Sequence, residues 1–350
     1  MYAMNVYLAC LVAQFFQIKD VCAAKRLNKA WRNDFTHPTI WNYIFCDVVA
    51  DDAVRAIRSF PHAKCLHLTF LLESPTELPS SVRELNLQVA GSSVARCGIR
   101  SYLENPSTNS TLRRFETDYH VGSVAVPMRK FPQLTALYLH GWNTELSDLH
   151  NVTSFGYCTE ERTALISGHL LQHITSLHLF EFTCYLVCVQ QYFSAFQALR
   201  SLNVPIANLA HLREVQNGAQ NVEILTVRFQ QADPQSEYVA SRMATLAAFG
   251  TRLKQLVITF KIDPESASLG RTFTLSRLRA LTCLQRLEIQ GVVVDETDIV
   301  ELQQDLSLFK MLQDFRCVNC VVYLPTDFRF PIAMGNLRYI QLAHLSKVFY

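Results

Sequence analysis

The sequence predicts an α/β solenoid of short parallel strands, preceded by a small all-α segment. Three observations predict it. A six-residue apolar pattern recurs about every 25 residues from position 63 onward, which is the mark of a repeat architecture. Apolar stripes at helical spacing mark the segment before it. The composition, 49% hydrophobic and 18% charged over 350 residues, supplies a long core and lies outside the range of disordered chains.

The pattern reads apolar-x-x-apolar-x-apolar. It begins with Ala63–Leu68, Val82–Leu87, Leu112–Thr117, Leu134–Leu139, Val152–Tyr157 and Ile174–Leu179. It continues with Leu199–Val204, Val222–Val227, Leu253–Ile258, Leu284–Ile289, Leu312–Cys317 and Leu337–Leu342. The fourth and sixth positions alternate with polar ones and so share one face of a strand. The first fills the same interior from the approach to that strand. A single unit cannot bury its apolar face, whereas a parallel stack makes one continuous core. Long spacings after Val222 leave room for return helices, predicted over Tyr238–Phe249, Thr274–Leu281 and Asp295–Met311. In the last of these, Ile299, Leu302, Leu306 and Phe309 share a face.

These hexamers resemble the leucine-rich-repeat family across residues 63–350, in about twelve repeats. The resemblance implies parallel strands on a concave face that binds partners. The family often carries Asn or Cys three residues beyond the last apolar position. Here Trp142, Phe182, Gln230 and Lys261 stand there and only Cys320 conforms, which predicts an irregular solenoid.

Residues 1–48 read as helices without a hexamer. Leu8, Leu11, Val12, Phe15 and Phe16 follow i, i+3, i+4, i+7, i+8 spacing. Asp20 suits the N-cap of a second helix carrying Val21, Ala24 and Leu27. A third holds Trp31 and Phe35, and Pro38 opens the turn that presents Trp41. Residues 49–62 read as a linker or capping helix. Phe15 to Val21, Leu27-Asn28-Lys29-Ala30-Trp31-Arg32 and His37-Pro38-Thr39-Ile40-Trp41 resemble an F-box, with Asn5-Val6 near where that family commonly opens on Leu-Pro. The resemblance implies docking on a Skp-type adaptor, and through it a cullin, by Leu8, Leu11, Val12, Phe15, Phe16, Asp20, Val21, Leu27, Trp31, Pro38 and Trp41. The repeats would then hold a protein substrate for ubiquitination. The alternative is a repeat scaffold or receptor whose N-terminal helices only cap the solenoid.

Composition and motifs narrow the function classes. A formal net charge of +2 without a run of Lys and Arg argues against nucleic acid as the main partner. No stretch of about 20 apolar residues suggests a membrane span. The 11 cysteines are odd in number and scattered, which points to a reducing compartment, cytoplasmic or nuclear. Cys317-Val318-Asn319-Cys320 has a metal-like spacing, but no second pair stands nearby and Cys317 occupies an apolar repeat position. His169 and His173 have two-histidine helical spacing without the Glu of a metalloprotease. Nucleotide and acyl-transfer motifs are absent, so the reading is non-enzymatic, with no cofactor or metal. Binding candidates are residues without a place in the apolar ladder. The aromatic set is Tyr138, His140, Trp142, His178, Phe180 and Phe182, whose side chains suit a hot spot or the underside of a loop. Arg228, Arg286 and Arg316 lie among interspersed acids, on a solvated face or in a binding groove.

Overall fold

The computed structural model describes residues 45–49, 65–70, 82–89, 111–117, 131–139, 149–159, 172–182, 193–229, 236–260, 275–291, 293–295, 309–323 and 339–344. The chain divides into two compact units, Met1–Cys158 and Thr159–Tyr350.

In the first unit, β1 (Phe45–Val49), β2 (Cys65–Phe70), β3 (Glu84–Val89), β4 (Arg114–Thr117), β5 (Ala136–Leu139) and β6 (Ser154–Thr159) pair parallel in sequence order. Their register places Cys46, Leu66, Leu85, Phe115, Leu137 and Phe155 in one row. From Leu85 onward these residues are buried. Phe115 also stacks on Phe131 at 6.3 Å between ring centroids.

The second unit contains β7 (Ser176–Phe182), β8 (Ser201–Ile206), β9 (Ile224–Phe229), β10 (Gln255–Phe260), β11 (Arg286–Gln290), β12 (Val293–Asp295), β13 (Asp314–Tyr323) and β14 (Tyr339–His344). β7 to β11 pair parallel in order and β11 pairs with β13. β13 is ten residues long. It takes β14 along its first part and β12 along Val321–Tyr323. Leu177, Leu202, Leu225, Leu256, Leu287 and Phe315 form one core row, and Val204, Val227, Ile258, Ile289 and Cys317 the next. All are buried. Fully burying one such side chain contributes about 1.5–3 kcal/mol, so each row stabilises the stack along its whole length.

The last four positions of each predicted hexamer lie on a strand. The pattern is longer than six residues, however. Three positions before it stands a further apolar residue whose carbonyl accepts from the first hexamer position: Phe131 from Leu134 at 3.0 Å, Leu149 from Val152 at 2.9 Å, Phe196 from Leu199 at 3.3 Å and Leu281 from Leu284 at 3.1 Å. Ala219 and Phe309 serve Val222 and Leu312 in the same way. All six of these residues are buried. A second regularity follows in the next residue of each repeat. The carbonyl of the second hexamer position accepts two consecutive N–H groups from the following strand, as Arg83 does from Arg113 and Arg114, and Glu223 from Lys254 and Gln255. The backbone groups at each turn are thereby satisfied within the stack.

Among the described residues two helices fill long repeats. α1 (Leu209–Gly218) starts at Asn208, whose side chain accepts from the His211 N–H at 2.9 Å, and buries Leu212 and Val215. α2 (Ser236–Ala247) lies close to the span predicted for it and buries Met243, Leu246 and Ala247. Its Arg242 is also buried, with the guanidinium 4.3 Å from the Phe229 ring, which stacks in turn on Phe260 at 5.2 Å. Gly250, at φ +68°, turns the chain from α2 toward β10 through a conformation that favours glycine.

Several expectations need correction. The ladder begins one strand earlier than the repeats predict: Phe45–Val49 is extended and paired with β2, although residues up to 48 were expected in the helical segment and the solenoid from 63. Residues up to 48 were read with the helical segment, whereas Cys46 and Val48 stand in register with Leu66 and Leu68 of β2. In the span Thr274–Leu281 the described residues, 275–281, hold a 3-10 turn over Leu275–Leu278 and no α-helix. Leu278 and Leu281 are both buried three residues apart, a spacing that a three-residue turn brings into line. At the ends of Asp295–Met311, Asp295 closes β12 and Phe309–Met311 form a turn, because Phe309 is needed as the apolar residue before Leu312. The rest of that span, and the F-box-like residues from Leu8 to Trp41, lie outside the described residues.

Candidate functional site

Alternate strand residues point away from the core, and these outward positions are where partners can reach the sheet. In the first unit Tyr138 occupies one. Its hydroxyl shares a hydrogen bond of 2.6 Å with Ser154 Oγ, and the Arg114 guanidinium lies 4.5 Å from its ring. Arg114 also donates to Glu116 at 2.9 Å. Tyr138 is therefore held in place by three neighbouring strands, β4, β5 and β6. His140 and Trp142 lie outside the described residues.

In the second unit the structure brings His178 and Phe180 together on β7, with ring centroids 4.3 Å apart and planes tilted by 33°. Phe182 ends the same strand. Arg228 stands two strands away on β9, and its guanidinium donates to the carbonyls of Leu179 and Phe180, the latter at 3.1 Å. The predicted aromatic pair and this arginine thus form one cluster.

Arg286 and Arg316 are engaged elsewhere. Across β11 and β13, Arg286, Glu288, Asp314 and Arg316 make a checkerboard in which each charge has opposite charges as neighbours along and across the strands. Arg286 reaches Glu288 at 2.6 Å and Asp314 at 3.7 Å. Arg316 grips Asp314 through two bonds of 2.9 Å. Glu288 also accepts from Gln290 at 2.6 Å, and Gln290 accepts from Thr259 at 3.3 Å. Two cations and two anions cancel within this set, so the long-range pull on a charged partner is small.

The residue that sequence reasoning missed is Ile224. It is 37% exposed on β9, in the row of Ser176, Ser201, Gln255 and Arg286. Thr226 and Val257 lie in the adjacent outward row, in register with each other. The signal was readable, since an isoleucine stands at a pattern position where neighbouring repeats hold polar residues. On the N-terminal edge of the same strands, Glu223 sits between Lys254 at 2.6 Å and Arg200 at 3.8 Å. The hydrogen bond and charge of Lys254, with a lesser contribution from the charge of Arg200, hold the Glu223 carboxyl below the usual carboxylate range against the opposing effect of burial.

Cys317 of the CxxC is 3% exposed within the apolar ladder. Among the described residues no group of three or more His, Cys, Asp or Glu could hold a metal ion. A cavity of about 390 Å³ opens at the end of α1, lined by residues including Ser194, Phe196, Asn217, Gln220 and Asn221. No ionisable side chain lines it, so it offers no acid or base. Among the described residues no helix is long and apolar enough to cross a membrane.

No protein-family model matches the sequence, and no curated protein matches it. Among solved structures the chain is similar to internalin C2 of Listeria monocytogenes, at 14% identity and a TM-score of 0.34, over 69% of this chain and 83% of that one. It is similar to internalin InlF of the same bacterium, at 16% identity and a TM-score of 0.35, over 94% of this chain and 89% of that one. It is also similar to TLR13 in its complex with ssRNA13, at 14% identity and a TM-score of 0.42, over 86% of this chain and 45% of that one. The strand ladder and its repeating turns make each unit a solenoid of the leucine-rich-repeat type.

Proposed function

We propose that this chain is a non-catalytic recognition protein whose outward strand face holds a protein partner. The supporting observation is the outward surface of β7 to β10. There the half-buried rings of His178 and Phe180 and the exposed Ile224 stand among small polar residues, while the charges of β11 and β13 neutralise one another. An apolar group framed by polar ones is the composition of a contact hot spot.

The N-terminal segment gives this recognition a destination. Through its resemblance to an F-box it would dock on a Skp-type adaptor and cullin, and the chain would raise the effective concentration of its partner near a ubiquitin-conjugating enzyme. Co-purification of the intact chain, followed by mass spectrometry, tests this. A Skp-type adaptor is expected with the wild type and absent with Trp31→Ala. If no adaptor accompanies the folded wild-type chain, the ligase reading fails.

One observation favours a second reading. β1, directly after the F-box-like residues, continues the strand stack in register with β2. A segment that ends in the sheet suits a cap on a repeat scaffold. That reading expects a partner in the same experiment and neither adaptor nor cullin.

A further inference from the structure

Among the described strand residues Pro205 is the only proline. It lies in β8, between β7 and β9, where a residue without an N–H interrupts the ladder. The β7–β8 pairing opens with the Thr175 carbonyl accepting from the Ser201 N–H at 2.9 Å. Parallel pairing uses every second residue. The next donor is therefore Asn203, and after it position 205, whose acceptor would be the Leu179 carbonyl. Position 205 has nothing to donate. The register with β7 accordingly ends at His178↔Asn203, while that with β9 runs on through Pro205↔Arg228 and Ile206↔Phe229.

Arg228 stands directly beside Pro205 and sends one guanidinium nitrogen across β8 to the Leu179 and Phe180 carbonyls. Consecutive carbonyls of a flat strand point to opposite sides. Both bonding to one nitrogen means that β7 turns locally at this point. The Leu179 side chain remains buried in the core, and the rings of His178 and Phe180 meet on the outward face.

We propose that Arg228 is a positioning residue: its guanidinium replaces the backbone donor that Pro205 lacks, and so holds the upper half of β7 and the orientation of the His178–Phe180 pair. The side chain supplies to β7 what the proline withholds. Arg228 then shapes the outward face from within, and a partner meets the rings it presents.

Hydrogen exchange read by mass spectrometry on the full chain tests this, with peptides covering Ser176–Phe182 and, as a control, β10 and β11. Arg228→Met is expected to speed exchange in the β7 peptides by about tenfold, the equivalent of one charge-assisted hydrogen bond, and to leave the controls unchanged. Pro205→Ala restores an N–H beside Leu179. The double variant Pro205→Ala/Arg228→Met is therefore expected to regain most of the wild-type protection. Unchanged β7 exchange in Arg228→Met overturns the proposal, and so does a double variant that exchanges as fast as the single one. If Arg228→Met loses its fold, Arg228→Lys keeps one charged donor and is read with the same Pro205→Ala partner; failure of that rescue also overturns it. No partner binding enters the readout, so the recognition reading can fail while this result stands.

Discussion

Leu225 offers the most direct test of the ladder. It lies in β9 with Leu202 and Leu256 in register on either side, and all three are at most 1% exposed. Leu225→Ala removes three carbon groups, a transfer loss of about 2.4 kcal/mol at roughly 0.8 kcal/mol each. The backbone on both sides is fixed by hydrogen bonds, so the space left behind collapses only in part. A residual cavity of roughly 50–80 Å³ adds about 1–2 kcal/mol at the measured cost per unit volume. The expected loss is therefore about 3.5–4.5 kcal/mol, read as the shift in urea midpoint at unchanged slope. Thr226→Ala, one residue on and facing outward, is the control, with an expected change of at most about 0.5–1 kcal/mol. A loss below about 1.5 kcal/mol for Leu225→Ala, or equal losses for the two variants, would show that the inward and outward faces are assigned wrongly.

Two further predictions address the turn chemistry and the charged edge. Asn208→Ala leaves the His211 N–H at the start of α1 without its acceptor and is expected to cost about 1 kcal/mol, while Asn208→Asp retains the cap; equal urea midpoints for Ala and Asp variants would remove the capping role. The Glu223 carboxyl is held below its ordinary range, so its contribution is present above the unfolded carboxylate pKa of about 4.3 and is lost as pH falls through the lower folded value. Wild type is then expected to exceed Glu223→Gln in stability at pH 6 and to converge with it in acid, with a smaller gap in high salt; a gap independent of pH counts against the ion pair with Lys254.

How much of this was legible differs from one element to the next. The hexamers located β2 to β11, β13 and β14, because burial of alternate residues is written directly into residue type. Strand β1 escaped because residues up to 48 were read with the helical segment, whereas Cys46 and Val48 pair in register with Leu66 and Leu68. The residue before each hexamer, such as Phe131 or Leu281, escaped because its role is defined by a turn hydrogen bond as much as by its side chain. For the candidate site, His178 and Phe180 were singled out in the aromatic set and Arg228 in the charged one, with nothing in the sequence to join them. Ile224 was passed over despite standing at a polar position.

Local chemistry determined the strand positions and the inward face, since each hexamer carries its own periodicity and needs no knowledge of its neighbours. What the outward residues do depends on their neighbours in space. Register between strands far apart in sequence sets Arg286 and Arg316 into a neutral checkerboard and sends Arg228 across Pro205 to β7. Three arginines that look alike in sequence thus differ in role, because a guanidinium binds whatever acceptor the fold brings within hydrogen-bond reach, and that distance is not encoded in any one repeat.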